Sequence, residues 1–327
     1  MRAGKGSTTP FLGRLLSLQI RPAQRVTWLG AAWAALCGAV ASGELAFSKP
    51  SLLSLGLVLF LADPLLGAVW SALEALGQLA GSNWGDLRSS ETGPRVPPLP
   101  YTQPGSASEG LFARLNAGLA RWRAELWPRA RTSLVGLTVA SALALAIGLV
   151  LGRWVALLTA VALVLPFLEA ALLGQRPLSG PLTRALLEMG LAWLLGYAVF
   201  QDLSLPASET ALDNPRWASA LAWLDAHGRI LLLAGLYTLA YHACLILRER
   251  GRVTVGKALL NATQLAVAVL LAVLRQPILA GLAGLLLLSQ ALFQPLLRRH
   301  GPHWYLQRTH FFLMGSMLIA ALGIRGV

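Results

Sequence analysis

The chain has 327 residues, of which 56% are hydrophobic and 13% charged, and its mean hydropathy is +0.61. Such a balance lies outside the range of soluble globular domains and reads as a polytopic membrane protein. Cys37 and Cys244 both sit in apolar stretches, which leaves no support for a disulfide framework or a thiolate metal site, and the net charge of +13 must be explained by where the basic residues fall.

Residues 1–25 carry five positive charges around the broken apolar pattern FLGRLLSLQI, without the continuous core and small residues of a cleavable signal. Phe11, Leu12, Leu15, Leu16 and Ile20 suit a short amphipathic helix lying at a membrane interface. A frayed tail before Pro10 is the competing reading.

Residues 26–327 form one membrane domain. Crossing a hydrocarbon core takes about 17 to 25 mostly apolar residues. This rule places nine candidate windows, of which the seventh and ninth are short and the second is long: Val26–Ala46, Ser51–Leu79, Thr132–Leu151, Trp154–Leu173, Thr183–Phe200, Arg229–Leu247, Ala258–Leu274, Pro277–Leu297 and Phe311–Ile324. With this alternation, 21 of the 27 Lys and Arg residues fall on the side of the N-terminus. The positive-inside rule then places the N-terminus in the cytoplasm and the C-terminus outside a cell inner (plasma) membrane. The basic charge is accounted for by topology and anionic lipid, with no nucleic-acid partner required.

Two loops are long. Residues 82–131, on the cytoplasmic side, pass from the turn-rich ETGPRVPPLPYTQPGSASEG to LFARLNAGLARWRAELW, whose apolar residues recur at helical spacing. Residues 201–228, on the external side, contain Asp202, Glu209, Asp213 and Asp225.

Several stretches carry a family likeness. RPAQRVTWLGAAWAALCGAVASG (Arg21 to Gly43) resembles the opening of the chlorophyll and bacteriochlorophyll synthase branch of the UbiA superfamily of intramembrane prenyltransferases. DPLLGAVWSAL in the second span, GRVTVGKAL after the sixth, and the C-terminal NATQLAVAVLLAVLRQPILAGLAGLLLLSQALFQ and YLQRTHFFLMGSMLIAAL extend the resemblance over nearly the whole chain. The resemblance implies an all-α bundle of nine transmembrane helices with a cavity open to the cytoplasmic side. It also implies two Asp-rich motifs that hold Mg²⁺ against a prenyl diphosphate while the prenyl group passes to an aromatic or chlorophyllide acceptor.

Those acids are absent. The positions matching the first motif are Glu74, Ala75, Gln78 and Ser82, and those matching the second are Ala240, Ala243 and Leu247. Departure of pyrophosphate requires its growing charge to be neutralised, by Mg²⁺ on carboxylate oxygens and by basic side chains. The resemblance therefore points to a degenerate, non-catalytic member that binds an isoprenoid, quinone or chlorophyll-type tetrapyrrole in pigment handling or complex assembly. An active prenyltransferase remains open if Asp63, Glu74, Asp86 and Glu91 supply relocated Mg²⁺ ligands. A third reading is a purely structural subunit of a photosynthetic or respiratory complex.

Ionisable groups inside spans cost about 2.5 to 3.5 kcal/mol for a charged Asp at a helix centre, so Asp63, Glu74, Glu169 and Glu188 need partners. With Gln78, Ser82 and Asp86 they outline a candidate polar cavity, against the alternative of hydrogen bonds between helices. Arg248, Arg250, Arg252 and Lys257 could receive a phosphate, although orientation alone also explains them. His242, inside the sixth span, is the candidate axial ligand for a pigment magnesium. His300, His303 and His310 read as interfacial. Trp28, Trp84, Trp127, Trp154, Trp217 and Trp304 fall near span ends, as in an aromatic belt. No P-loop, dinucleotide fingerprint, His-Glu-x-x-His pattern or nucleophile with base is present.

Overall fold

The computed structural model describes residues 30–83, 127–173, 180–201, 203, 216–248 and 253–325. The expected interfacial helix near residues 11–20, most of the loop 82–131 and residues 204–215 of the second long loop lie outside them. Among the described residues all regular structure is helical.

The chain starts with α1 (Ala31–Ala41) and continues into α2 (Lys49–Phe60), a π-helical turn (Leu61–Leu65) and α3 (Leu66–Asn83). Ser48 caps α2 by accepting from the Ser51 amide, with Pro50 in the first turn, where a missing N–H costs nothing. Pro64 falls inside the π turn. Proline removes an intrahelical donor and crowds the preceding turn, and the wider winding accommodates it without ending the helix.

Next come α4 (Trp127–Leu151) and α5 (Arg153–Leu173), separated only by Gly152 with φ +136°. A side chain would strain that backbone, so the glycine permits one helix to end and another to begin at once. Then follow α6 (Pro181–Ala185), a second π turn (Leu186–Leu191), α7 (Ala192–Ala198), α8 (Arg216–Arg248), α9 (Val253–Val273), α10 (Pro277–Leu292) and α11 (Gln294–Arg325).

Among the described residues five helical stretches are long and apolar enough to cross a membrane: Lys49–Gly77, Ala130–Leu151, His227–Arg248, Val253–Val273 and Pro277–Leu297. Their outward faces are apolar as well. On α10, Ile278 and Leu292 are each 78% exposed, with Leu285 and Leu288 between them. This is the surface of a protein solvated by hydrocarbon chains.

Two helices differ in extent from the sequence reading. α8 begins at Arg216, so the segment read as the end of an external loop is its first turns. α11 runs on both sides of Gly301, whose φ of +84° and ψ of +167° kink the helix ahead of Pro302.

Two cores meet on one segment. The first gathers α1, α8, α9, α10 and α11 around Trp193, Tyr237 and Tyr305. The second gathers α2 to α5 around Leu61, Leu66 and Val155. Residues 185–198 contribute to both, with Ala185, Met189, Ala192 and Trp193 in the first and Leu187, Leu191 and Leu195 in the second. The second π turn therefore sits at the centre of the bundle. Trp193 stacks on Tyr237 with ring centroids 5.4 Å apart and planes 10° apart. The hydroxyl of Tyr237 in turn lies 2.9 Å from Ser316 of α11.

Candidate functional site

Polar groups are scarce in this interior, so those that converge are informative. The start of α6 is fixed by Glu169 of α5, whose Oε1 accepts the Gly180 amide at 2.9 Å. A buried carboxylate here receives an orphan N–H of a helix terminus and faces its positive end, which gives Glu169 a structural task.

One turn further, Arg184 Nε donates to Glu188 Oε1 at 2.8 Å, an i,i+4 pair that bridges α6 and the π turn. The other oxygen of Glu188 accepts the hydroxyl of Tyr241 on α8. Arg184 is 37% and Glu188 19% exposed, so the cluster opens at the bundle surface. Close approach of α8 to the π turn makes the contact possible. A Cβ on Gly190 would stand 2.7 Å from Oγ1 of Thr238, one helical turn before Tyr241.

Arg184 lies mainly in the field of Glu188 and more weakly in that of Glu74 on α3. His242, beside Tyr241, keeps Nδ1 buried with no hydrogen-bond partner among the described residues.

The other expected site residues distribute as follows. Asp63 is half-buried in the first π turn, and Glu74 is exposed on α3. Eleven residues of continuous helix hold them about 16 Å apart in rise. Gln78 and Ser82 fall on α3, but their side chains, like Asp86, Arg250 and Arg252, lie outside the described residues. Arg248 is exposed at the end of α8, and Lys257 is half-buried on α9.

The three C-terminal histidines stay apart in role. His300 packs on Trp304, His303 is exposed, and His310 is buried with its Nδ1–H donating to the Gln307 carbonyl at 2.6 Å.

Sequence reasoning marked Glu188 but missed Arg184, which had been counted among the basic topology charges. The i,i+4 spacing to Glu188 was the available signal. It also missed an amide cluster between α9, α10 and α11. Gln264 Nε2 donates to Gln290 Oε1 at 2.6 Å, and Gln294 Nε2 donates to Asn261 Oδ1 at 2.7 Å. Tyr305, fully buried, sits beside Gln290 and Gln294 with its hydroxyl unaligned for a hydrogen bond. Near the other end of α8, the Tyr197 hydroxyl lies 3.0 Å from Nδ1 of His227.

Among the described residues no three His, Cys, Asp or Glu side chains stand where they could share a metal ion. A Mg²⁺-diphosphate centre of the kind the family resemblance implies is therefore not matched by these donors. What the Arg184–Glu188–Tyr241 cluster can do is hydrogen-bond a polar group brought to it from the hydrocarbon phase. No protein-family model, curated protein or solved structure matches the chain.

Proposed function

We propose that the chain is a ligand-binding relative of the chlorophyll synthase branch of UbiA prenyltransferases. It would hold an isoprenoid, quinone or tetrapyrrole ligand in a nine-span bundle whose N-terminus is cytoplasmic and whose membrane is the cell inner membrane. The observation that carries the reading is the Arg184–Glu188–Tyr241 cluster, a partly open polar site within a largely apolar bundle. An amphiphile with a long apolar body would lie along the lipid-facing helices and present its head there.

Charge argues for the class of head group. A diphosphate needs uncompensated positive charge, as metal or as free guanidinium and ammonium groups. Arg184 is already paired with Glu188, whose other oxygen takes the Tyr241 hydroxyl, so the cluster offers a diphosphate no uncompensated cation. Carbonyl or hydroxyl groups, as on a quinone or a pigment ring, exchange hydrogen bonds with the cluster without that repulsion. Recruitment of the bound pigment or quinone to a photosynthetic or respiratory complex would then be the role of the protein.

The reading is tested by purifying the chain from membranes and identifying extracted lipids by mass spectrometry. A parallel prenyl-transfer assay uses labelled geranylgeranyl diphosphate, chlorophyllide and Mg²⁺ beside an enzyme with both acidic motifs. A co-purifying neutral isoprenoid or tetrapyrrole with no transfer product is expected. Transfer product above background would overturn the proposal.

A further inference from the structure

The kinked helix α11 carries a second polar feature, far in character from the first. No acidic residue follows Glu249 in the sequence, while Lys257, Arg275, Arg298, Arg299, Arg308 and Arg325 do. One of these bases, Arg308, and the imidazole of His300 meet the same aromatic side chain at the bend. The ring of His300 lies 4.6 Å from that of Trp304, and the guanidinium of Arg308 lies 5.9 Å from the Trp304 ring centre.

The bend sets this arrangement. Gly301 at φ +84° turns the chain so that His300 stacks back on Trp304, and the helix that resumes at Pro302 presents one face outward. Arg299, His300, His303, Gln307 and Arg308 are exposed there, while Tyr305, Leu306, Thr309 and His310 are buried against the bundle. One turn past Arg308 the outward residue changes to Phe311, which is 67% exposed. A switch from exposed base to exposed phenyl within three residues marks the boundary between polar and hydrocarbon layers.

Its place in the fold agrees. Gln294 reaches Asn261, so the elbow lies at the Val253 end of α9, the end that also carries Lys257 and the Arg248 terminus of α8.

We infer that residues 299–311 form a docking surface for anionic phospholipid, with Arg299 and Arg308 receiving the phosphate and Phe311 entering the acyl region beneath it. Charge complementarity selects this occupant: residues 299–311 carry Arg299 and Arg308 and no acid, and they sit where a head-group layer meets hydrocarbon. Trp304 holds Arg308 by cation–π contact, which limits the freedom lost when phosphate binds. This surface is separate from the Arg184 cluster and does not depend on the ligand proposed there.

The test uses the full chain in nanodiscs of phosphatidylcholine alone and of phosphatidylcholine mixed with phosphatidylglycerol, reading thermal melting. The wild type should melt at higher temperature in the mixed discs. R299Q/R308Q should lose at least half of that gain, and R153Q, which removes an arginine stacked on Trp154 between α4 and α5, should keep it. Both elbow side chains are exposed, so the double variant should match the wild type in phosphatidylcholine. If it does not fold, single R299Q and R308Q variants carry the same comparison, each losing part of the gain. The inference is overturned if the wild type gains nothing, if the double variant keeps the full gain, or if R153Q loses as much. It is equally overturned if soluble glycerol phosphate, added to phosphatidylcholine discs, reproduces the whole effect.

Discussion

Tyr241 on α8 donates its hydroxyl to Glu188 in the central π turn, joining positions 53 residues apart. Because Glu188 also accepts from Arg184, the carboxylate satisfies two donors at once. Removing it should cost more than removing either donor. E188A is expected to destabilise by about 1 to 3 kcal/mol, the range for leaving polar partners unsatisfied. Y241F should cost about 1 kcal/mol, as hydrogen bonds between membrane helices do. Reversible unfolding in mild detergent checks the order; equal losses would show that Glu188 does not tie the two together.

α1 and α7 pack backbone to backbone. A Cβ on Gly196 would fall 1.8 Å from the Ala35 carbonyl oxygen, and one on Gly38 would fall 2.0 Å from that of Trp193. No side-chain rotation relieves a clash with a main chain, so G38A and G196A must separate the helices. Each should lose about 1 to 3 kcal/mol or more. G56A and G67A, with nothing within 4 Å of the added carbon, should leave melting unchanged.

The Gln264–Gln290 pair is buried between α9 and α10. Q264L or Q290L strands the surviving amide and is expected to cost about 1 to 3 kcal/mol. The double replacement removes both polar groups and should recover much of the loss. A double-mutant cycle that came out additive would mean that the amides do not depend on each other.

Much of the architecture is legible in the sequence, because length and hydropathy alone mark the five apolar helices that are long enough to span. The exceptions have physical causes. The first turns of α8 read as loop because Asp225 and His227 interrupt the apolar pattern, yet His227 is buried against Tyr197. The windows Pro277–Leu297 and Phe311–Ile324 leave a gap between them because its residues are polar, yet α11 runs through that gap, redirected at Gly301.

At the site, Glu188 stands out because a carboxylate inside an apolar helix needs a partner. Its partner on α8 belongs to a distant span, and only the packing of α8 on the π turn brings it near. The link between Arg184 and Glu188 was within reach through its spacing.

Magnesium should matter little to this protein, since the positions that match the two Asp-rich motifs hold Glu74, Ala75, Gln78, Ser82, Ala240, Ala243 and Leu247. Melting measured with added Mg²⁺ and after chelation with EDTA is expected to agree. A clear rise with Mg²⁺ would point to ligands contributed by the loop acids Asp86 and Glu91.

Head-group selectivity at the Arg184–Glu188–Tyr241 cluster tests the account most directly. The purified chain is exposed to a photoreactive prenylated quinone, with unlabelled quinone or geranylgeranyl diphosphate as competitor, and the crosslinked peptide is identified by mass spectrometry. The account predicts labelling within residues 181–198 or 237–248, displaced by quinone, resistant to the diphosphate and reduced in E188A. Displacement by the diphosphate at equal or lower concentration would contradict it, because it would require positive charge beyond that of Arg184, which Glu188 already pairs.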